Sequence, residues 1–195
     1  MLDRPQLLAA FDTLLEPARF RDYGPNGLQV EGRARVGRIV SGVTASRALI
    51  EAAIAASADA IFVHHGLFWR GQDGTVTGWM KQRLTLLLNA NINLFAYHLP
   101  LDAHPLLGNN AQFGRHLGLQ ALEGAAGRFG EQGLGFLGGR ADGGHFASAQ
   151  SLADHLEFTL KRPVVLVSYK HQAIKNIAWC TGGAQSYFEA AIAAG

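Results

Sequence analysis

The order of apolar strands and Ala-rich helices in the first half of the chain restricts its fold most strongly. The segment VGRIVSGV (36 to 43) is β-branched and apolar at alternate positions, which is typical of a strand. ASRALIEAAIAAS (45 to 57) follows with apolar residues at helical spacing. A strand, a helix and a strand are expected next, over 59 to 65, 79 to 91 and 92 to 98. This alternation predicts an α/β fold with a mostly parallel sheet, because parallel strands are joined by helical crossovers.

The chain changes character near residue 123, which predicts a domain boundary there. Residues 123 to 146 are dense in glycine, and a strand is expected near 133 to 138. We therefore expect two similar α/β domains with mostly parallel or mixed sheets, over residues 1 to 122 and 123 to 195. The remaining elements are a helix at 109 to 118, a helix at 151 to 160 with Ser151 as N-cap and Asp154 in a variant capping box, strands at 163 to 169 and 173 to 181, and a helix at 184 to 195.

A short internal repeat suggests that two strand–helix units are related. EAAIAAS (51 to 57) recurs as EAAIAAG (189 to 195), and the preceding strands align as well. The alternative is chance similarity between two Ala-rich helices. In the first copy the chain goes on directly to the buried strand 59 to 65, whereas the second copy ends at Gly195. We therefore expect a truncated chain, whose natural continuation begins with a short apolar strand.

Composition excludes several classes of protein. The net charge is only +2, and the 17 Lys and Arg residues are scattered, so no nucleic-acid surface is predicted. No run of about 18 apolar residues exists to span a membrane, and the N-terminal segment lacks a signal-peptide pattern. Cys180 is the single cysteine, so an internal disulfide is excluded and a cytoplasmic location is expected.

Two adjacent histidines end the apolar strand in IFVHHGLFW (61 to 69) and indicate a metal site. Neighbouring side chains on a strand point to opposite faces, so His64 and His65 are expected to address different ions of a pair. Gly66 permits the backbone to turn directly after them. The alternative is that buried histidines are merely hydrogen-bonded core residues.

A second polar cluster follows the next strand, in YHLPLDAHP (97 to 105). His98, Asp102 and His104 fall on the same sheet edge as the histidine pair, because both clusters lie at carboxyl ends of strands. Imidazole and carboxylate together suit Zn²⁺, Fe²⁺ or Mn²⁺. Asp102 is the expected bridge between two ions, while His98 and His104 are candidates for proton transfer, with a supporting or plain loop role as the alternative.

Signatures of other catalytic classes are missing. The sequence has neither a phosphate-binding GxxxxGK[ST] loop nor a GxSxG nucleophile elbow. The turns SGVTAS (41 to 46) and CTGGAQS (180 to 186) could each bind an anion at a helix N-terminus. Ordinary N-capping by Thr44 or Ser46 is the simpler interpretation of the first turn.

The motifs YGPNGLQVEG (23 to 32), DAIFVHHGLFW, NLFAYHLPLDAHPLLGNNAQ and AWCTGGAQSYF together resemble the GTP cyclohydrolase I type 2 homologue family, also called Nif-three-like. The resemblance covers the whole chain. It implies two similar α/β domains of the Nif-three-like fold, a homo-hexamer, and two divalent metal ions per subunit. It assigns His64, His65 and Asp102 as metal ligands. Family members continue past this point and supply a further His and a Glu, which agrees with the expected truncation.

The leading functional hypothesis is a metal-dependent hydrolase acting on a nucleotide-like substrate, by analogy with the family's name. His98 or His104 would carry the proton. The alternative is a non-enzymatic metal-binding hexamer that serves as a scaffold or regulatory protein. Because ligands would lie beyond Gly195, the 195-residue chain is expected to have an incomplete metal site and to be inactive by itself.

Overall fold

The chain forms two compact units, Met1–Leu101 and Asp102–Gly195, in a computed structural model that describes residues 1–168 and 172–195. The division lies earlier in the chain than the boundary at 122/123 expected from glycine content. It falls inside a short helix, α4 (Leu99–Ala103). No helix among the described residues is both long enough and apolar enough to cross a bilayer.

The first unit combines a four-stranded mixed sheet with three helices. The sheet has the order β2-β6-β5-β4, in which β4, β5 and β6 are parallel and β2 is antiparallel to β6. The elements are β1 (Leu2–Asp3), α1 (Arg4–Leu15), β2 (Gly27–Val30), β3 (Arg35–Val36), β4 (Ile39–Thr44), α2 (Arg47–Ala55), β5 (Ala60–His65), α3 (Gly78–Ala90) and β6 (Asn93–Ala96). The expected strand–helix alternation is confirmed here.

Helices cover both faces of this sheet, which explains the continuous apolar runs in its strands. Ile61 and Val63 of β5 face the cluster that contains residues of α2 and α3. Phe62, between them, packs with Leu7 of α1 and with Phe95 on the other face. The period of two along β5 therefore supplies both layers of the core.

The two ends of β4 test two expectations from the sequence, the start of the strand and the N-cap of the helix that follows it. The expected strand 36 to 43 is interrupted, because Gly37 and Arg38 donate their backbone N–H groups to the Asp59 carboxylate at 2.7 and 2.9 Å. At the other end, the Ser46 hydroxyl accepts the Leu49 N–H at 3.2 Å. Ser46 is thus the N-cap of α2, and the simpler interpretation of the SGVTAS turn is confirmed.

The second unit contains a small antiparallel sheet. Strand β9 lies at its centre, between β10 and β7, and also pairs with β8. Leu117, Leu119, Phe136, Phe146 and Trp179 form its core. The elements are α5 (Asn109–His116), β7 (Leu119–Ala121), β8 (Arg128–Phe129), β9 (Gly135–Arg140), α6 (Ala149–Leu160), β10 (Ile177–Trp179) and α7 (Phe188–Ala194).

Two expectations for the second unit were wrong. Helix α6 begins earlier than expected, with Ser148 as N-cap, and Ser151 is the third helical residue of a capping box with it. Residues 163–168 form no strand, and the side chains of Val165 and Val167 are 91% and 93% exposed. A β-branched run becomes a strand only where a neighbouring strand accepts its hydrogen bonds. Residue 169 of that expected strand lies outside the described residues.

Candidate metal centre

The candidate site lies where β5 ends and the backbone turns. His64 and His65 are the last two residues of β5, and His65 is the register partner of Thr44, the last residue of the parallel strand β4. Gly66 follows in a tight position, since a Cβ atom there would lie 2.1 Å from Oε1 of Gln29. That same oxygen accepts the Leu67 N–H at 2.8 Å, which fixes the turn against β2.

Three imidazoles converge at this strand end. One ring nitrogen from each of His64, His65 and His98 lies within 4.8 Å of the others. The ring centroid of His64 lies 4.4 Å from that of His65 and 4.8 Å from that of His98. Although adjacent residues alternate faces within a regular strand, the end of β5 allows both rings to meet His98. The three side chains therefore form one group that could hold a metal ion.

Each of the three rings is held through Nδ1. His64 Nδ1 donates to the carbonyl oxygen of Tyr97 at 3.2 Å, and His65 Nδ1 lies 3.0 Å from the hydroxyl of Thr44. His98 Nδ1 lies 2.7 Å from Oδ1 of Asp22. When Nδ1 makes such a bond, Nε2 is the ring nitrogen that coordinates a metal, and the bond fixes the orientation of the ring.

The Asp22 carboxylate is the charged partner of this cluster. Its side chain is only 4% exposed, and it lies in the loop between α1 and β2. Burial alone would raise the pKa of Asp22. Hydrogen bonds from His98, Asn26 and the backbone of Leu99 and Tyr23 outweigh that effect and lower the pKa below its ordinary value. Asp22 is therefore a carboxylate near neutral pH and acts only as a hydrogen-bond acceptor.

Two aromatic side chains stand beside His98. The Trp69 ring meets His98 edge to face, with centroids 5.0 Å apart, and the Tyr23 ring lies 6.2 Å from it. The two loops that carry them are joined, because Arg70 donates its backbone N–H to the Tyr23 carbonyl at 2.6 Å. Tyr23 itself is 58% exposed, so the cluster has an aromatic border with an accessible face.

The remaining two residues expected in the site belong to the second unit. Asn109 donates to Oδ1 of Asp102 at 2.8 Å. Nδ1 of His104 accepts the backbone N–H groups of Leu106 and Leu107 at 3.2 and 3.0 Å, which stabilises the turn after α4. The metal-ligand role of Asp102 and the catalytic role of His104 stay predictions.

Sequence reasoning placed His98 among the catalytic candidates and did not identify Asp22 or Asn26. In the structure His98 stands in the group of possible metal ligands, and Asp22 holds it. The stretch DYGPN (22 to 26) carried a usable signal, since Asp and Asn flanking Gly-Pro are typical of a turn whose side chains bind backbone groups. Nothing local to that stretch shows that His98 is the partner.

The three-histidine group fits a borderline transition metal. Neutral imidazole nitrogens are preferred by Zn²⁺, Fe²⁺ and similar ions, whereas Mg²⁺ and Ca²⁺ prefer oxygen ligands. The hydrogen bonds at Nδ1 are the supporting contacts that histidine ligands usually make in metal sites. The chain thus contains a histidine cluster that could bind a metal ion.

Comparison with known proteins gives consistent results over nearly the whole chain. It is 46% identical over 195 residues to a Neisseria meningitidis protein named "GTP cyclohydrolase 1 type 2 homolog", covering 98% of this chain and 74% of the relative. A Pseudomonas aeruginosa protein of the same name is 50% identical over 189 residues, covering 97% and 73%. A solved structure described as "protein ybgI, unknown function" superposes with a TM-score of 0.90 at 39% identity, covering 100% of this chain and 75% of that one.

The fold and the family agree with the resemblance inferred from the motifs. The α/β class with a parallel and mixed sheet is confirmed by the first unit and by the similar structure of ybgI. The family model described as Duf34/NIF3 (NGG1p interacting factor 3) matches residues 2–195. The chain therefore belongs to the Duf34/NIF3 family, whose curated relatives are named as homologues of GTP cyclohydrolase 1 type 2.

Proposed function

We propose that this protein is a divalent-metal-dependent hydrolase acting on a nucleotide-like substrate. The observation that carries the proposal is the convergence of His64, His65 and His98 within 4.8 Å, each ring held at Nδ1. Ligands oriented before a metal arrives are characteristic of a built site. The substrate class comes from the name shared by the curated relatives, and the aromatic border of the cluster supports it.

In this proposal His64 and His65 supply imidazole ligands in the first unit, and the ring of His98 lies beside them. Asp102 remains the carboxylate ligand predicted by the family resemblance, for a pair of Zn²⁺, Fe²⁺ or Mn²⁺ ions. When bound, a divalent ion supplies Lewis acidity and lowers the pKa of a coordinated water towards about 7. Trp69 and Tyr23 offer ring faces and edges on which a planar heterocycle can pack. His98 or His104 remains the proton carrier predicted from the sequence.

The ligand assignment is tested by measuring metal content after substitution. His64→Ala, His65→Ala and Asp102→Ala should each lower the bound metal per chain, while His116→Ala, an exposed histidine on α5, should leave it unchanged. Elemental analysis after equilibration with Zn²⁺ or Mn²⁺ gives the stoichiometry. Circular dichroism confirms that each variant is folded. Unchanged stoichiometry in all three variants would remove the metal site and with it the proposed function.

The hydrolase role is tested against a non-enzymatic scaffold. Metal-loaded and metal-stripped protein are assayed against a panel of purine and pyrimidine nucleotides, and product is detected by chromatography. Metal-dependent turnover supports the hydrolase. A flat panel, together with a stable metal-bound homo-hexamer in light scattering, supports the scaffold that the family resemblance offers as the alternative.

A further inference from the structure

A cavity of about 600 Å³ lies in the second unit, beside the last turn of α5 and strands β7 and β8. Volumes of roughly 300–1,000 Å³ are typical of sites that bind small molecules. Phe136 and Trp179 of the sheet core contribute to its wall. Leu106 and Leu122 also line it, and their side chains are 63% and 53% exposed. The cavity therefore offers apolar surface that solvent can reach.

Two arginines bring positive charge to this apolar cavity. Arg115 of α5 and Arg128 of β8 both line it, together with one carboxylate, Glu123. Among the residues that the structure describes, neither arginine forms an ion pair. Burial lowers the pKa of Arg128 below its ordinary value, and no neighbouring acid contributes an opposing effect. Because buried charges in proteins are usually paired, Arg128 lacks a partner that a bound anion would supply.

The contacts of Arg128 leave one edge of its guanidinium group available. Nη1 donates to the carbonyl oxygen of Ala103 at 3.1 Å and makes a longer contact of 3.5 Å with that of Gly133. The Cζ atom lies 3.6 Å from the centre of the Phe136 ring, which covers one face of the group. Within the described part of the chain, Nε and Nη2 have no hydrogen-bond partner. These two nitrogens form the edge that can bind a carboxylate or a phosphate through two parallel hydrogen bonds.

We propose that this cavity binds a small organic anion, whose carboxylate or phosphate group contacts Arg128 and Arg115 and whose apolar body packs against Leu106 and Leu122. Arg128 is held by its carbonyl and ring contacts before a ligand arrives, whereas Arg115 is exposed and adds charge. All of these residues belong to the second unit. The proposal therefore depends neither on a metal ion nor on the proposed function.

Binding is tested by isothermal titration calorimetry of the 195-residue chain with three naphthalene compounds. EDTA is present throughout, so that no metal ion contributes. Naphthyl phosphate and naphthoate carry an anionic group on the same apolar body, and naphthol carries none. We expect at least one anion to bind about 10-fold or more tightly than naphthol, because hydrogen bonds to charged groups are the stronger ones. The tighter of the two anions identifies the group that the site prefers.

Two results of this titration would overturn the proposal. Equal affinity for all three compounds would show an apolar cavity that does not recognise the anionic group. No binding of either anion at millimolar concentration would show that the cavity is not a site for this class of ligand.

The position of the bound anion is read from the Nε–H signal of Arg128 in ¹H–¹⁵N NMR spectra. The signal is assigned by its loss in Arg128→Lys. It should shift when the tighter anion is added and stay in place when naphthol is added. Binding of the anion without a shift of this signal would rule out the assignment to Arg128.

Substitutions test the two arginines separately. Arg128→Lys keeps a positive charge but loses the two-nitrogen edge, so anion binding should weaken by about 10- to 100-fold. Arg115→Gln removes an exposed charge and should weaken it by only about 2- to 5-fold. Arg162→Gln removes an exposed arginine outside the cavity, is the matched control for net charge, and should bind like the unmodified protein.

A variant of opposite sign keeps the test decisive if Arg128→Lys does not fold, which circular dichroism would reveal. Glu123→Gln removes the carboxylate that lines the cavity, so it should strengthen anion binding by about 2- to 5-fold. Equal affinity for Glu123→Gln, Arg115→Gln and Arg162→Gln would contradict the proposal. Because none of these residues is a candidate metal ligand, failure here leaves the measurement of metal content to decide the proposed function separately.

Discussion

The three histidines of the cluster are held by partners of different chemistry. His64 is bonded to a backbone carbonyl, His65 to the Thr44 hydroxyl, and His98 to the Asp22 carboxylate. Charge-assisted hydrogen bonds are about twice as strong as neutral ones. The hydrogen bond between His98 and Asp22 should therefore be stronger than the neutral hydrogen bond between His65 and Thr44.

This difference leads to a prediction for Thr44. Thr44→Val preserves the shape of the side chain and removes the hydroxyl that holds His65 Nδ1. A neutral hydrogen bond contributes about 0.5–1.5 kcal/mol, so Zn²⁺ affinity should fall by roughly 2- to 10-fold. Thr44→Ser retains the hydroxyl and is the matched control. Competition with a chromogenic Zn²⁺ chelator measures the affinity of the unmodified protein and of both variants, and equal affinity for the Val and Ser variants would contradict the prediction.

At the scale of elements, the ends of strands position the cluster. The parallel neighbouring strands β4 and β5 end in register, so Thr44 lies beside His65. Tyr97, directly after β6, donates its N–H to Val63 of β5 and accepts from His64. The pairing of strands therefore supplies partners for two of the three rings, and the loop between α1 and β2 supplies the third.

The turn after β5 gives a prediction about Gly66. A Cβ atom in Gly66→Ala would displace the Gln29 side chain, whose Oε1 holds the Leu67 N–H. A buried donor left without its acceptor costs about 1–3 kcal/mol, and we expect the free energy of unfolding to fall by that amount. Urea denaturation monitored by tryptophan fluorescence measures it.

A second variant identifies the cause of that loss. In a Gln29→Ala background the space next to Gly66 is already open, so Gly66→Ala should then cost much less. If the cost is the same in both backgrounds, contact with Gln29 is not the reason for glycine at this position.

At the scale of the whole molecule, stability in acid depends on carboxylates that join distant segments of the first unit. Asp59 accepts backbone N–H groups from Gly37 and Arg38 and pairs with Arg33 at 2.8 Å. The Gly37 N–H, followed by Arg38 and Arg33, lowers the pKa of Asp59 below its ordinary value despite the opposing effect of desolvation.

The sign of this shift determines the pH dependence of stability. Because the folded pKa is lowered, the contribution of Asp59 is fully present above the unfolded value of about 4. It is lost as the pH falls through the lower folded value. Unmodified protein should therefore exceed Asp59→Asn in urea midpoint at pH 7, and the gap should shrink below about pH 4. A gap that does not change between pH 7 and pH 3 would contradict this prediction.

The local sequence pattern was sufficient to predict a helix or strand where the periodicity of that segment's own residues determines its structure. Periodicity predicted β4, α2, β5, α3 and β6 to within a few residues, since helices and strands expose and bury side chains at 3.6- and 2-residue intervals. It failed for residues 163–168, whose apolar composition suits a strand although they form none. It also misplaced the cap of α6, because Ser148 and Ser151 are both suitable residues and only backbone geometry distinguishes them.

The sequence by itself determined the α/β class, the family and the histidine pair at the end of β5. These follow from local periodicity and from motifs that are contiguous in the chain. Only the tertiary structure decided that His98 joins the pair and that Asp22, 76 residues earlier, holds its ring. The physical reason is that a hydrogen bond depends on distance and direction between atoms, which strand pairing and loop closure create and which no local pattern of residues records.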